Sequence, residues 1–337
     1  MAAGKVALVT GANAGLGLTL CERLLSEHKD LKLCLACRNK LRAEVAQEAL
    51  KLSHPDADIS IIIVDTSSLQ SVYRAAREIK HRYSRLDLLY LNAGIMPVTG
   101  FNWSHFVKGL FSSDCVHMLT TAKGLLKQAD FTTEEGFRNI FATNLFGHFV
   151  LIRQLEEIIG CTNKPGHATQ VVWTSSSAAL KDNFDIKDIQ HKNGCDPYSS
   201  SKYATDMLSV VLNDKLNHKG IYSHSVCPGL VMTNLTNGIM PPWFWTIMWP
   251  IIMLVRFFVP STNYETYNGC EAQMWLSHQQ PTTLDSHVKF CSESSVFGHR
   301  SVKQKKLNID MEQAESLYAQ LESLEGEFRQ QHHKSGQ

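Results

Sequence analysis

Lys5-Val6-Ala7-Leu8-Val9-Thr10-Gly11-Ala12-Asn13-Ala14-Gly15-Leu16-Gly17 joins an apolar run to an amphipathic one through a glycine-rich turn. The apolar run lacks polar alternation, which predicts a strand covered on both faces. Leu16, Leu20 and Leu24 then recur four apart, the interval of one helical face. Gly11 permits a tight strand-to-helix turn, Gly15 lets backbone approach a pyrophosphate, and Gly17 permits close helix packing. Thr10, Asn13, Ala14 and Leu16 complete the turn, and the free N–H groups at the helix start suit phosphate oxygens.

Further apolar runs follow at Leu31–Arg38, Ile59–Asp65, Leu86–Asn92, Gln170–Ser175 and Tyr222–Cys227, with helical patterns between them. Ala75, Ile79 and Tyr83, for example, recur four apart before the fourth run. Strand–helix alternation at this spacing predicts an α/β fold, a doubly wound parallel sheet with its ligand site at the strands' carboxyl ends. We expect one domain over residues 1–300, with a last sheet strand at Val288–Cys291, and a C-terminal helix and polar tail over 301–337. Two segments interrupt the alternation. Residues 101–130 form a long apolar-rich insertion, suited to a lid or docking surface. Residues 238–260 are intensely hydrophobic and hold Trp243, Trp245 and Trp249.

The composition narrows the function classes. With 44% hydrophobic and 19% charged residues the chain is globular, and a formal net charge of +1 gives no reason to expect nucleic-acid binding. Nine scattered cysteines, an odd number, suit a reducing compartment. Cys34 and Cys37 have C-x-x-C spacing, but residues three apart on a strand face opposite ways, so they are not expected to converge. The histidine pair His332-His333 lies in the polar tail and makes a poor metal site, so no metal is expected. No h-region of a secretory signal follows the first residues.

The spacing T-G-x-x-x-G-x-G resembles the short-chain dehydrogenase/reductase family, and other motifs of that family follow in order. The resemblance places Asp65 at the adenine, Asn92-Ala93-Gly94 at the end of the fourth strand, and Pro228-Gly229 with Thr233 around the nicotinamide. Arg38, rather than an acid, ends the second strand; an arginine there can pair the 2′-phosphate and so selects NADPH. Tyr198 and Lys202 lie four apart behind Pro197 and share a helical face, where the cation is expected to make the phenol a stronger acid. The resemblance makes Tyr198 the proton donor, Lys202 its partner and a ribose ligand, and Asn144 the holder of a water relay. It also implies a serine donor to the substrate carbonyl. By strand-end motif this is Ser176, with Ser175 and Ser177 one step away; counting the family's usual distance back from Tyr198 lands on Asp185, whose carboxylate cannot serve.

Longer stretches, among them Leu33–Asn39, Leu89–Pro97 and Pro197–Asp206, resemble the family's sterol-ketone-reducing members. That implies NADPH-dependent reduction of the 3-ketone of sterol intermediates such as zymosterone in cholesterol synthesis, and of estrone to estradiol. It also implies a place at the endoplasmic reticulum membrane with the active site facing the cytosol, and leaves a homodimer or other sterol-synthesis enzymes as partners. The run 238–260 fits a sterol substrate independently: Pro250 and Arg256 make it marginal for spanning and favour insertion into one leaflet, with a buried core helix as the third reading. A retinoid or other lipid carbonyl reductase would share the same catalytic residues, and a membrane assembly partner would not need them.

Overall fold

The computed structural model describes residues 4–113, 115–160, 168–231 and 259–334. Strand β1 (Val6–Thr10) runs through the glycine turn into α1 (Gly15–Glu27), followed by β2 (Lys32–Cys37), α2 (Lys40–Ser53), β3 (Asp58–Ile63), α3 (Leu69–Arg82) and β4 (Leu88–Leu91). The insertion contributes β5 (Val98–Phe101), the short helices α4 (Trp103–Leu110) and α5 (Cys115–Thr121), and β6 (Leu126–Gln128). A short turn, α6 (Asn139–Phe141), passes through a π-helical stretch, Ala142–Phe146, into α7 (Gly147–Ile159). Then come β7 (Thr169–Thr174), α8 (Pro197–Leu216), β8 (Ile221–Cys227), α9 (Thr266–Gly269), α10 (Glu271–His278), β9 (Val288–Ser294), β10 (Arg300–Lys306) and α11 (Met311–Lys334).

Among the described residues, eight of the ten strands form one sheet in the order β10-β9-β8-β7-β4-β1-β2-β3. It is parallel except at its edge, where β10 pairs antiparallel to β9. Helices cover both faces, which is why strands such as β1 are buried at every residue and show no alternation. One core lies under α3, α7, α8 and α11, the other under α1, α2 and α10. Cys34 belongs to the first and Cys37 to the second, so the C-x-x-C pair is separated by the sheet. The chain reverses its winding between β1 and β4, and a crevice opens there at the strands' carboxyl ends.

The insertion is a two-stranded antiparallel stem, β5 with β6, carrying α4 and α5. Its helical side leaves Trp103, Val107 and Phe111 exposed. The hydrophobic run of the sequence falls, apart from its last two residues, outside the described residues. No helix among the described residues is long and apolar enough to cross a membrane.

Candidate active site

The glycine turn is tied across the sheet to the end of β4. Gly11 takes φ +67°, a left-handed conformation that a side chain disfavours, and a Cβ on Gly17 would lie 2.3 Å from the Gly11 carbonyl oxygen. Thr10 Oγ1 accepts the N–H groups of Asn92 at 2.8 Å and Ala93 at 2.9 Å, while Asn92 Nδ2 donates to the Thr10 carbonyl at 3.1 Å. Thr10 Oγ1 also donates to the Tyr90 carbonyl at 3.3 Å and lies 3.0 Å from His148 Nε2. Complete burial pushes the His148 imidazole down to about 3 and keeps it neutral.

The crevice has a volume of about 360 Å³. Every predicted site residue with a described placement lines it except Asn144; Thr233 lies outside the described residues. Its lining runs from guanidinium groups at the far edge, past a turn of bare backbone at the start of α1, to Tyr198 and Lys202. That succession fits a dinucleotide. Arg38 is 72% exposed and stands 3.9 Å from Asp65 Oδ2, while Asp65 Oδ1 accepts from the Ser67 N–H at 2.9 Å and its hydroxyl at 2.7 Å.

Asp196 caps α8, accepting the Ser199 N–H at 3.1 Å, with Pro197 in the first turn. Tyr198 and Lys202 follow on one face, the ammonium 5.6 Å from the phenol's ring centre and donating to the Thr174 carbonyl at 2.7 Å. The Ser176 hydroxyl stands beside the Tyr198 phenol and favours its ionised form. Ser175 instead turns its hydroxyl to the Lys202 carbonyl at 3.4 Å, and Asp185 accepts the Lys187 N–H away from the crevice. The expected acidification of the phenol is not what the surroundings do. Burial pushes Tyr198 up to about 12 against the opposing effect of Ser176. Burial also draws Lys202 down to about 8, with the Asp206 carboxylate opposing and the Lys289 ammonium reinforcing.

Asn144 sits in the π-helical stretch behind the crevice. Its Oδ1 accepts the Ile95 N–H at 2.8 Å, and its Nδ2 donates to the Ile95 carbonyl at 3.1 Å and to Ser201 Oγ at 3.0 Å. The side chain thus staples the loop after β4 to α8, a use typical of π-bulges at functional sites.

A profile of the short chain dehydrogenase family matches residues 5–242. The chain belongs to this family. It is 51% identical over 325 residues to the 3-keto-steroid reductase/17-beta-hydroxysteroid dehydrogenase 7 of Rattus norvegicus, covering 96% of each chain. It is 49% identical to the Homo sapiens protein of that name, covering 96% of this chain and 94% of the relative. Among solved structures, salutaridine reductase from Papaver somniferum matches the fold with a TM-score of 0.59 at 20% identity, over 84% of this chain and 98% of that one.

Three features of this short-chain dehydrogenase were missed from its sequence. Arg42 joins Arg38 at the crevice, and its interval of four from Arg38 was the available signal. Gln128, at the foot of the insertion, accepts the Tyr198 N–H at 2.9 Å and donates to Asp196 Oδ1 at 2.7 Å, which anchors the insertion to the start of α8. Lys289, from β9, reaches Asp206 and Ser176 beneath the crevice; a lysine inside a buried strand was its only signal.

Proposed function

We propose that the chain is an NADPH-dependent reductase of steroid ketones, acting on the 3-keto group of sterol intermediates and on the 17-keto group of estrone. The observation that carries the chemistry is the gathering of the buried Tyr198 phenol, the Lys202 ammonium 5.6 Å from its ring centre and Ser176 in one crevice. The steroid substrate is supported by relatives named for 3-keto-steroid reduction at about half identity along nearly the whole chain.

The residues from Thr10 to Gly17 would hold the pyrophosphate, Arg38 with Arg42 the 2′-phosphate, and Lys202 the nicotinamide ribose. A reduced nicotinamide held there would supply the hydride. The protein's own part is proton management. Tyr198 keeps its proton throughout the neutral range and gives it to the ketone oxygen as negative charge develops there. Ser176 donates a hydrogen bond to the same oxygen, and the Lys202 ammonium stabilises the phenolate left behind. Asn144 keeps the loop after β4 against α8, which fixes the crevice wall opposite the phenol.

The site of action is proposed as the endoplasmic reticulum membrane, with 238–260 as the attachment and the crevice toward the cytosol. A membrane-dissolved substrate and the tryptophans of that run support this. The deciding experiment follows NADPH oxidation with a sterol 3-ketone, estrone and retinal as separate substrates, with Tyr198→Phe as control. Turnover of the sterol ketone above the other two, lost in the control, is expected. Preference for retinal would replace the substrate, and a control retaining more than about a tenth of the rate would remove Tyr198 as the acid.

A further inference from the structure

Tyr198, Lys202 and Asp206 follow at intervals of four along α8 and so share one face. Tyr198 and Lys202 are the proposed acid couple; Asp206 is the next step down that face. Its side chain is 2% exposed, and Oδ1 has no hydrogen-bond partner among the described residues. Its other oxygen, Oδ2, meets Lys289 Nζ at 2.5 Å, and Lys289 is itself 7% exposed. The same ammonium donates to the Ser176 carbonyl at 3.0 Å. One buried cation therefore joins β9 to both the proton-donor helix and the serine beside the phenol.

A buried ion pair is poor material for stability, because desolvating two charges offsets most of their attraction. Apolar residues would fill this space under β8 and β9 at least as well. What apolar residues would not do is act on Lys202. A carboxylate one turn away favours its ammonium form, and a second ammonium opposes it. Moving either charge moves the pH at which Lys202 loses its proton.

We propose that Lys289 and Asp206 are a positioning pair that sets the working pH range of the Tyr198–Lys202 couple and holds Ser176 in place beside it. The inference rests on the reading of that couple as the proton-donating machinery. The titratable groups facing Lys202 are Tyr198 and Asp206 on α8, Lys289 on β9, Cys227 on β8 and His148 on α7. Cys291 on β9 faces Lys289 and Cys227, and Tyr203 on α8 faces Asp206. His148 is neutral across the working range, so Asp206 and Lys289 are the charges that act on Lys202 from outside the couple. Cys227 adds a negative charge where it ionises.

The test measures turnover and NADPH affinity from about pH 6 to pH 10 for the wild type, Asp206→Asn, Lys289→Met and the double variant. Both quantities fall as Lys202 deprotonates. Asp206→Asn removes the charge that favours the ammonium, so its alkaline limb moves to lower pH by about one unit. Lys289→Met removes the opposing charge, so its limb moves to higher pH. The double variant falls between the wild type and Asp206→Asn, and it decides the matter if either single variant fails to fold by circular dichroism. Opposite shifts of the single variants support the pair's role. Lower rates or melting temperatures with every limb unmoved mean that the pair is only structural, and that overturns the inference. A wild type without an alkaline limb, or an active Tyr198→Phe, instead overturns the proposed couple itself.

Discussion

Replacing Arg38 by alanine should weaken NADPH binding far more than NADH binding. Arg38 ends the second strand's run, and its guanidinium is 72% exposed with Asp65 at 3.9 Å. So loose an exposed pair contributes little to folding, and the variant should melt within a degree or two of the wild type. A charge-assisted hydrogen bond to a phosphate is worth about 1.5–3 kcal/mol, which is roughly 10- to 150-fold in affinity. Its exposure to water and salt puts Arg38 toward the low end of that range, and Arg42 at the same edge retains part of the charge. We therefore expect NADPH to weaken by about 10- to 30-fold and NADH by less than about 2-fold. Fluorescence titration of each cofactor measures this directly, without relying on turnover. Raising the salt concentration should narrow the gap between wild type and variant for NADPH alone. Equal losses for the two cofactors, or a gap indifferent to salt, would refute the phosphate contact and make Arg38 a structural residue.

Gln128→Ala removes two hydrogen bonds from the start of α8 and strands the Tyr198 N–H, which should cost about 1–3 kcal/mol of stability. Turnover should fall with NADPH affinity preserved, and unchanged turnover would mean that the insertion's anchor is irrelevant to the acid. Ser176→Ala should lower turnover by about 10²-fold or more, while Ser175→Ala acts mainly on stability. Comparable rate losses for the two would contradict the placement of their hydroxyls. Replacing Trp243, Phe244 and Trp245 together by serine should release the protein from membranes and raise KM for sterol ketones more than for a small soluble ketone. Continued sedimentation with membranes at unchanged KM would sink the attachment proposal.

What was legible in the sequence is what depends on short intervals. The glycine turn, the leucines of α1 and the Tyr198–Lys202 spacing each lie within a few turns of chain. The period-two geometry alone separated Cys34 from Cys37 onto two cores. The edge strand β10 escaped because Arg300-Ser301-Val302-Lys303-Gln304-Lys305-Lys306 has a single apolar residue and is mostly exposed, so no burial pattern marks it. Gln128 and Lys289 escaped for a different reason. Each reaches the site from an element distant in sequence, and nothing in its own neighbourhood says which helix it will meet.

The phenol's acidity shows why residue types at the right spacing are an incomplete account of the chemistry. From the interval of four, the Lys202 cation should make Tyr198 a stronger acid. In the fold, the same helix face is buried against β7 and β8, and burial penalises both charged forms together. Tyr198 is pushed up to about 12 and Lys202 drawn down to about 8. Between those values the tyrosine keeps its proton and the lysine gives its up. On the proposed mechanism, the alkaline limit on reduction would then be set by Lys202 rather than by Tyr198. Within the couple Lys202 titrates before Tyr198, so on that proposal the charges around it would control the pH range. Those charges, Asp206 and Lys289, act through tertiary contact that no short motif records.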